Sequence, residues 1–258
     1  MNVISVVSMK GGVGKTSIAA NLATSLAQRQ ATGNNTLEVC LIDLDSQNAC
    51  QSHFGFAQTH HRGICHQALD DQPWTDIALR SETGVTCLPY GVADEPTRLA
   101  FETLLTSQPD WLRHQISRSA FSPDALVLID TPSGHCPYLS QVIACADLAI
   151  VVLHADGASY ATVPAMETYL DEATSTNPAL QSIYVLNQVD DSDALSADIQ
   201  VSLRQHLGER LAAVHIKSDE GVKEAMAVGK SVLHYTPHGQ ASLDVASLAA
   251  ALTEALGV

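Results

Sequence analysis

The residues with the clearest chemical potential lie between positions 8 and 17, directly after a short β-branched run. They read Ser-Met-Lys-Gly-Gly-Val-Gly-Lys-Thr-Ser. Glycines let a backbone turn tightly so that its N–H groups point at phosphate oxygens, and a helix that starts there adds the positive end of its dipole. Lys15 can then reach the β- and γ-phosphates, and the Thr16 hydroxyl can hold Mg²⁺. Because strand, loop and helical pattern follow in the required order, the segment predicts a phosphate-binding loop rather than a glycine-rich turn without a ligand.

Carboxylates end two other apolar runs of the sequence. Asp43 and Asp45 follow Leu41-Ile42, and Asp130 ends the run that starts at Leu126. Two carboxylates with i, i+2 spacing at a strand end point the same way, toward the crevice where ligands bind in open α/β sheets. The pattern indicates a group of acids near the phosphate loop. Two acidic residues in an ordinary turn are the alternative for Asp43 and Asp45, since Asp is common after strands.

The loop departs from the general pattern G-x-x-x-x-G-K-[ST], whose first glycine would fall at Met9. A second lysine, Lys10, stands next to the glycine pair instead. In this respect the loop resembles the deviant Walker A loop of the ParA/MinD family of P-loop ATPases, with the pattern K-G-G-x-x-K-[ST]. The resemblance implies that the following loop residues bind the nucleotide: Gly11, Gly12, Val13, Gly14, Lys15, Thr16 and Ser17.

Lys10 matches the lysine that gives this family its signature. In the family that lysine reaches across a dimer to the partner's nucleotide, so the resemblance implies a homodimer that sandwiches two ATP molecules. Such a lysine neutralises charge on the transferred phosphoryl group, as an arginine finger does elsewhere. An ordinary solvated lysine is the alternative.

The resemblance also implies roles for the acids. The segment from Asp43 to Gln47 matches the family's D-x-D-x-Q pattern. Asp45 would orient the attacking water, and Asp43 would support the metal or the loop. Asp130 would hold Mg²⁺ directly or through water, and residues 131–134 would sense the γ-phosphate. The predicted catalytic residues are therefore Lys10, Lys15 and Asp45, and the predicted metal residues are Thr16, Asp43 and Asp130.

For the base of the nucleotide the candidate is Asn187, which matches the family's adenine-contacting asparagine. An amide can pair with the adenine edge as both donor and acceptor, which a carboxylate cannot do. The spacing from Asn187 to Asp190 is similar to the guanine-recognition motif of GTPases, but the lysine expected after the asparagine is absent, which favours ATP. By the same resemblance, residues near 216–224 close the base pocket.

The elements that must position these residues are short apolar runs separated by helical patterns. Continuously apolar runs are typical of strands buried on both faces of a sheet. The clearest helical spacing occurs in Thr16–Arg29 and Leu243–Leu256. We predict a single α/β domain over residues 1–258, a doubly wound, mostly parallel sheet with helices on both faces. The predicted strands are Val3–Val7, Leu37–Ile42, Val85–Leu88, Ala125–Ile129, Leu148–Leu153, Ile183–Leu186 and Leu211–Ile216.

The charge of the chain argues against DNA as a partner. Its 258 residues carry 13 Lys plus Arg and 28 Asp plus Glu, a formal net charge of −15, and no Lys or Arg lies between positions 119 and 203. Such a surface repels phosphate backbones unless a local basic patch exists. DNA binding by a ParA-type partition ATPase stays open as an alternative, because a dimer could assemble a patch from five basic residues: Arg204, Arg210, Lys217, Lys223 and Lys230.

Other features predict a cytoplasmic protein without direct membrane insertion. No apolar stretch is long enough to span a bilayer, and residues 241–258 contain no Lys or Arg that would attract anionic lipid. The six cysteines include no C-x-x-C pair, so we expect reduced thiols.

One polar excursion, from Phe54 to Trp74, gathers potential metal ligands. The cluster consists of His60, His61, Cys65 and His66. Imidazole and thiolate can ligate zinc, but the spacing fits no established pattern, so a polar surface segment is the favoured interpretation.

Three segments resemble the branch of the family that serves bacterial cellulose synthesis, BcsQ: residues 61–76, 88–91 and 219–226. This resemblance implies a slow, Mg²⁺-dependent ATPase that dimerises with ATP and acts at the inner-membrane face of a cellulose-secretion complex through small BcsR-like and BcsE-like subunits. A ParA-type partition ATPase and a scaffold that keeps ATP as a structural cofactor are the alternatives.

Overall fold

The structure, a computed structural model, describes residues 1–31, 38–56 and 61–257. In these residues the strands are β1 (Asn2–Val7), β2 (Val39–Asp43), β3 (Leu79–Arg80), β4 (Val85–Leu88), β5 (Leu126–Asp130), β6 (Leu148–His154) and β7 (Gln181–Asn187). They form one sheet in the order β3-β4-β2-β5-β1-β6-β7. All neighbours are parallel except β3 and β4, which are antiparallel.

The helices of the described ranges connect these strands. They are α1 (Lys15–Ala31), α2 (Ile64–Leu69), α3 (Glu95–Ser107), α4 (Trp111–Arg118), α5 (Pro137–Cys145), α6 (Gly157–Ala173), α7 (Ala194–Leu207), α8 (Glu220–Ala227), α9 (Val232–Tyr235) and α10 (Gln240–Leu256). Short 3₁₀ turns occur at Cys50–Phe54, Trp74–Ile77 and Gly208–Arg210. Of these helices, none is both long and apolar enough to cross a membrane.

Both faces of the sheet are covered, because alternate residues of the central strands enter different apolar clusters. On β5, Val127 and Ile129 pack in a cluster with residues of α3 to α7. Leu126 and Leu128 belong to a second cluster with residues of α1 and α10. Every residue of β2 and β5 is buried, and burying one such aliphatic side chain stabilises the fold by roughly 1.5–3 kcal/mol. The predicted doubly wound α/β architecture is confirmed.

Most predicted strands are close to the observed ones. Val85–Leu88 has the predicted bounds, and five others are shifted by one or two residues. Leu37, the first residue of the predicted second strand, lies outside the described residues. The two-residue edge strand β3 was not predicted, since it is too short to show a pattern.

The prediction of a strand at Leu211–Ile216 is wrong. Two isolated bridges flank the segment, one from Leu211 to Tyr184 of β7 and one from Lys217 to Val189, just after β7. Next to the first bridge, the Arg204 guanidinium donates to the carbonyl oxygens of Leu211 and Ala212. A side chain therefore occupies acceptors that a continuous ladder would need, and the apolar residues of the segment are buried without forming a strand.

The parallel arrangement places the carboxyl ends of β1, β2, β5, β6 and β7 at one edge of the sheet. The chain order reverses around β1, because β2 and β5 lie on one side of it and β6 on the other. Ligands of open α/β sheets bind in the crevice at such a point. The loop after β1, which enters α1, lies there.

Candidate functional site

The loop between β1 and α1 has a shape that only glycine permits at two positions. Gly12 has φ +74° and Gly14 has φ +85°, a region that side chains with a Cβ rarely adopt. A Cβ at Gly14 would also lie 2.4 Å from Asn187 Nδ2. The Gly14 carbonyl accepts the first helical bond, from Ile18 N at 2.9 Å. The loop therefore ends in direct contact with the end of β7 and leads straight into the helix N-terminus.

Lys15 is the most buried cation of this region, with 6% of its surface exposed. Its Nζ donates to Ser133 Oγ at 2.6 Å, in the segment after β5. Burial lowers the pKa of Lys15, against the raising effect of nearby Asp130 and Asp45. An ammonium with little water around it gains strongly from an anionic ligand, because a charged group without compensation is costly to bury.

Thr16 and Asp130 form the next layer of the site. The Thr16 hydroxyl donates to Asp130 Oδ2 at 2.6 Å. Asp130 is fully buried, and its Oδ1 has no hydrogen-bond partner among the described residues. Desolvation raises the pKa of this carboxyl to about 6, although the bond from Thr16 and the charge of Lys15 act in the opposite direction. The surroundings of Asp130 therefore contain too little positive charge to compensate its buried carboxylate.

Asp43 lies opposite Asp130, since the two are register partners on β2 and β5. Its Oδ1 accepts from Asp45 N and its Oδ2 accepts from Cys50 N, both at 3.0 Å. Burial and the neighbouring Asp130 raise the pKa of Asp43 well above its usual range. Asp43 thus shapes the loop after β2 and also adds a second carboxylate beside Asp130.

Asp45 lies in the turn after β2, half-buried, where its Oδ1 accepts from Gln47 N at 2.9 Å. Its charge acts on Lys15 as well as on Asp130. The structure therefore brings together Lys15, Thr16, Asp43, Asp45 and Asp130, as the spacing of the sequence predicts.

Lys10 has different surroundings from Lys15. Its Nζ forms an ion pair at 2.5 Å with Asp156 Oδ2 of the same chain, and its side chain is 26% exposed. Asp156 also caps α6, because its Oδ1 accepts from Ser159 N at 2.7 Å. Partial burial raises the pKa of Asp156, but the bonds from Lys10 and Ser159 outweigh it and lower the pKa to about 2. Asp156 therefore stays ionised at neutral pH.

Asn187 lies at the end of β7, where its Nδ2 donates to Val13 O at 2.8 Å. It lines a pocket beside the start of α1, with apolar side chains such as Ile18 and Val222 and the segment from Ile216 to Asp219. That segment is held in place, since Ser218 N donates to the Val189 carbonyl oxygen at 2.9 Å. The pocket offers apolar walls and polar edges, which suits a planar heterocycle next to the phosphate loop.

Two residues of the site were missed from the sequence, whereas Ser133, which bonds Lys15, lies in the predicted segment 131–134. Asp156 bonds Lys10, and the Cys50 thiol donates to Asp130 Oδ2 at 3.4 Å. The sequence contains a partial signal for Asp156, because this acid follows the apolar run of β6 just as Asp130 ends the apolar run of β5. Cys50 had no signal, since its contact with Asp130 spans 80 residues of sequence.

The histidine-rich segment does not assemble a metal site in the part of the chain that the structure describes. His60 lies outside the described residues, and His61 is exposed. The His66 ring accepts from Gly63 N through Nδ1 and contacts Cys65 Sγ at 3.2 Å. Within the described ranges, the group of three close metal-ligating side chains is instead Asp43, Cys50 and Asp130.

Four of the five residues of the proposed basic patch are engaged elsewhere. Arg204 bonds backbone carbonyls, Arg210 pairs with Glu167, Lys217 with Asp191 and Lys223 with Glu220. Each of the three ion pairs cancels the charge that phosphate contacts would need.

Comparison with known protein families agrees with the family resemblance of the phosphate loop. A sequence model of the family described as "Cellulose biosynthesis protein BcsQ" matches residues 1–252. The chain is 30% identical to the chromosome partitioning protein ParA of Caulobacter vibrioides (strain NA1000 / CB15N) over 241 residues, covering 91% of this chain and 87% of that protein. It is 26% identical to the cellulose biosynthesis protein BcsQ of Salmonella typhi over 262 residues, covering 96% and 93% of the two chains.

A solved structure supports the fold independently. The septum site-determining protein MinD from Pyrococcus horikoshii OT3, complexed with Mg-ADP, superposes with a TM-score of 0.80 at 21% identity. The match covers 99% of this chain and 97% of that one. At this identity the likeness shows a shared fold.

Proposed function

The chain belongs to the family of the cellulose biosynthesis protein BcsQ, among the ParA-like P-loop ATPases, and we propose that it is a single-domain, Mg²⁺-dependent ATPase switch. In this proposal ATP binding drives formation of a homodimer and slow hydrolysis releases it. The dimer acts on the cellulose synthesis and secretion system through protein partners.

The observation that carries the proposal is the burial of Lys15 at the N-terminus of α1, beside the bonded pair Thr16 and Asp130. An ammonium, a row of loop N–H groups and a helix dipole converge on one point. In this arrangement Lys15 leaves Ser133 and binds the β- and γ-phosphates, while Gly11 to Gly14 surround the phosphate chain with backbone. A triphosphate gives Lys15 a charged bonding partner in place of the neutral Ser133 hydroxyl.

The residues beside Lys15 fit a magnesium ion. Thr16, Asp43 and Asp130 offer oxygen donors, which Mg²⁺ prefers, and the buried Asp130 Oδ1 has no bonding partner among the described residues. Mg²⁺ held there would neutralise charge on the β- and γ-phosphates. Asp130 itself orients the Thr16 hydroxyl through their 2.6 Å bond.

We assign the orientation of the attacking water to Asp45. Asp45 lies in the turn that follows Asp43, and its negative charge raises the pKa of Lys15. In the proposed complex Lys15 holds the γ-phosphate, so Asp45 is close to the reacting group. Since one carboxylate without an arginine finger is modest equipment for phosphoryl transfer, we expect slow turnover.

Lys10 is the candidate for the contact in trans. Within one chain it binds Asp156, so dimerisation requires that Lys10 exchange this ion pair for the phosphates of the partner's nucleotide. An ion pair with partly exposed partners contributes about 0–1 kcal/mol. A triphosphate can therefore outcompete it, and the exchange links nucleotide occupancy to self-association.

A protein partner is favoured over DNA. The chain carries a net charge of −15, and four of the five basic residues of the candidate patch are paired with acids or with backbone carbonyls. The BcsQ family match supports a place at the inner-membrane face of a cellulose-secretion complex, with BcsR-like and BcsE-like small subunits as the partners we expect.

Sizing of the full chain by light scattering tests the proposal. We expect the mass to double with ATP and Mg²⁺ and to stay that of one chain with ADP. Lys10→Ala should remain monomeric in ATP, whereas the control Lys230→Ala, an exposed lysine outside the site, should dimerise like wild type. Equal dimerisation of Lys10→Ala and wild type would contradict a contact of Lys10 with the nucleotide of the partner chain.

A further inference from the structure

A buried thiol below the phosphate loop has no role in the proposed ATPase. Cys50 begins the 3₁₀ turn Cys50–Phe54 and is fully buried, as are Asp43 and Asp130. One donor atom from each of the three lies within 4.8 Å of the other two. We call Asp43, Cys50 and Asp130 the thiol–carboxylate cluster. The register of β2 with β5 brings the two acids together, and the bond from Cys50 N to Asp43 Oδ2 holds the thiol beside them.

The spacing within the cluster suits tetrahedral coordination. Cys50 Sγ lies 3.4 Å from Asp130 Oδ2. A tetrahedral zinc ion with sulfur at about 2.3 Å and oxygen at about 2.1 Å separates those two donors by about 3.6 Å. The sulfur and the carboxylate oxygen thus already have nearly the separation that a shared zinc ion requires.

A second feature indicates that a cation belongs in the cluster also when no Mg²⁺-nucleotide is bound. Asp130 is fully buried, and among the described residues its Oδ1 has no hydrogen-bond donor. Asp43, a register partner, adds a second buried carboxylate next to it. Buried carboxylates in such contact are stable when paired with positive charge or coordinated to a metal.

The sulfur decides which cation fits. Mg²⁺ takes oxygen ligands and keeps several waters, whereas thiolate ligands favour zinc. We propose that the thiol–carboxylate cluster is a zinc site of the nucleotide-free chain, with Asp43, Cys50 and Asp130 as its protein ligands and one position open to water. Zinc binding displaces the thiol proton to solvent.

Zinc in the cluster opposes the magnesium-nucleotide state. The Cys50 thiol contacts Asp130 Oδ2, which is also the acceptor of the Thr16 hydroxyl. A zinc ion that takes this oxygen weakens the orientation of Thr16, so zinc and Mg²⁺-nucleotide reduce each other's affinity by the same factor. This antagonism rests on the proposed function, whereas zinc binding by itself does not.

The first experiment titrates the full nucleotide-free chain with Co²⁺, as a spectroscopic substitute for zinc, and then with Zn²⁺. We expect a thiolate-to-cobalt charge-transfer band in the near ultraviolet at one equivalent, and its loss when Zn²⁺ displaces Co²⁺. Cys50→Ser and Cys50→Ala should lack the band and bind Zn²⁺ at least about tenfold more weakly in competition with a chromophoric chelator.

Two controls make that result specific. Cys40→Ser changes an equally buried thiol on β2 outside the cluster, and His66→Ala changes the histidine-rich segment; both should keep the band. Absence of a band in wild type, or an equal band in the Cys50 variants, would overturn the zinc site. Loss of the band in His66→Ala alone would overturn it too, because the sulfur donor would then be Cys65.

The second experiment measures how tightly a fluorescent ATP analogue binds in the presence of Mg²⁺, with and without one equivalent of Zn²⁺. Zinc should weaken nucleotide binding to wild type and leave that of Cys50→Ser unchanged. Zinc that binds without affecting the nucleotide would overturn the antagonism. If no nucleotide binds under any condition, the proposed function fails, while the cobalt band still decides on the zinc site.

Discussion

The two ends of the phosphate loop differ in how firmly their lysines are held. At the α1 end, Lys15 is 6% exposed and directed at Ser133 and the buried acids. At the β1 end, Lys10 is 26% exposed by side chain and forms a single ion pair with Asp156. One lysine is fixed inside its own chain, and the other is held by a contact that solvent weakens. Two lysines five positions apart in sequence therefore suit different tasks, binding in cis and binding in trans.

The largest effect is expected from removal of the buried lysine. Lys15→Ala loses two charge-assisted hydrogen bonds to the triphosphate, each worth about 1.5–3 kcal/mol, which corresponds to a loss of about 10²–10⁴-fold in ATP affinity. Calorimetric titration measures it, with Lys230→Ala as the matched lysine control. An affinity within threefold of wild type would show that Lys15 is not a phosphate ligand.

Asp45→Ala should separate turnover from binding. We expect hydrolysis to fall by about 10²-fold, the lower end of the range for a positioned base, while ATP-dependent dimerisation persists. Steady-state phosphate release and light scattering give the two readouts. A variant that hydrolyses ATP at the wild-type rate would remove Asp45 from its role. Continued exchange of partner subunits despite lost hydrolysis would favour a scaffold over a switch.

The ion pair at the exposed lysine should restrain dimerisation. In Asp156→Asn the α6 cap is kept, but Lys10 loses a contact worth up to about 1 kcal/mol. Two Lys10 side chains are released per dimer, so ATP-dependent association should tighten by up to about 30-fold. The control Asp70→Asn breaks a pair of the same length with Arg62, away from the site, and should change nothing. Weaker association of Asp156→Asn would show that Asp156 supports the dimer.

A smaller effect is expected where the loop contacts β7. Gly14→Ala introduces a Cβ 2.4 Å from Asn187 Nδ2 at φ +85°. We expect about a tenfold loss of ATP affinity, since a displaced loop loses about one hydrogen bond to the phosphates. Gly84→Ala is the matched control, with the same φ but only Ala27 at 3.8 Å; it should lose stability and keep nucleotide binding. Equal ATP affinity in both variants would show that the Asn187 contact is unimportant.

The sequence predicted those parts of the molecule that depend on local pattern. The loop around Lys15 and the strand ends at Asp43 and Asp130 were readable because glycines, short apolar runs and terminal acids lie close together in the chain. The predicted strand at Leu211–Ile216 failed for the opposite reason: its outcome depended on the Arg204 side chain, which no periodicity reveals.

The two candidate metal clusters show the same limit. The histidine-rich segment was conspicuous in sequence, but its described residues do not converge. Asp43, Cys50 and Asp130 lie far apart along the chain, and the β2–β5 register assembles them. Likewise, Lys15 is fixed by its burial and Lys10 is paired with Asp156. Both states depend on tertiary contacts, which the local sequence does not show.

The most direct test of action in trans is a mixture of two inactive variants, Lys10→Ala and Asp45→Ala. In a mixed dimer, the nucleotide on the Lys10→Ala chain has its own Asp45 and receives Lys10 from the partner. We therefore expect the mixture to hydrolyse ATP well above the sum of the two separate proteins. A rate equal to that sum, with mixed dimers shown to be present, would contradict the assignment of Lys10 to the partner's nucleotide.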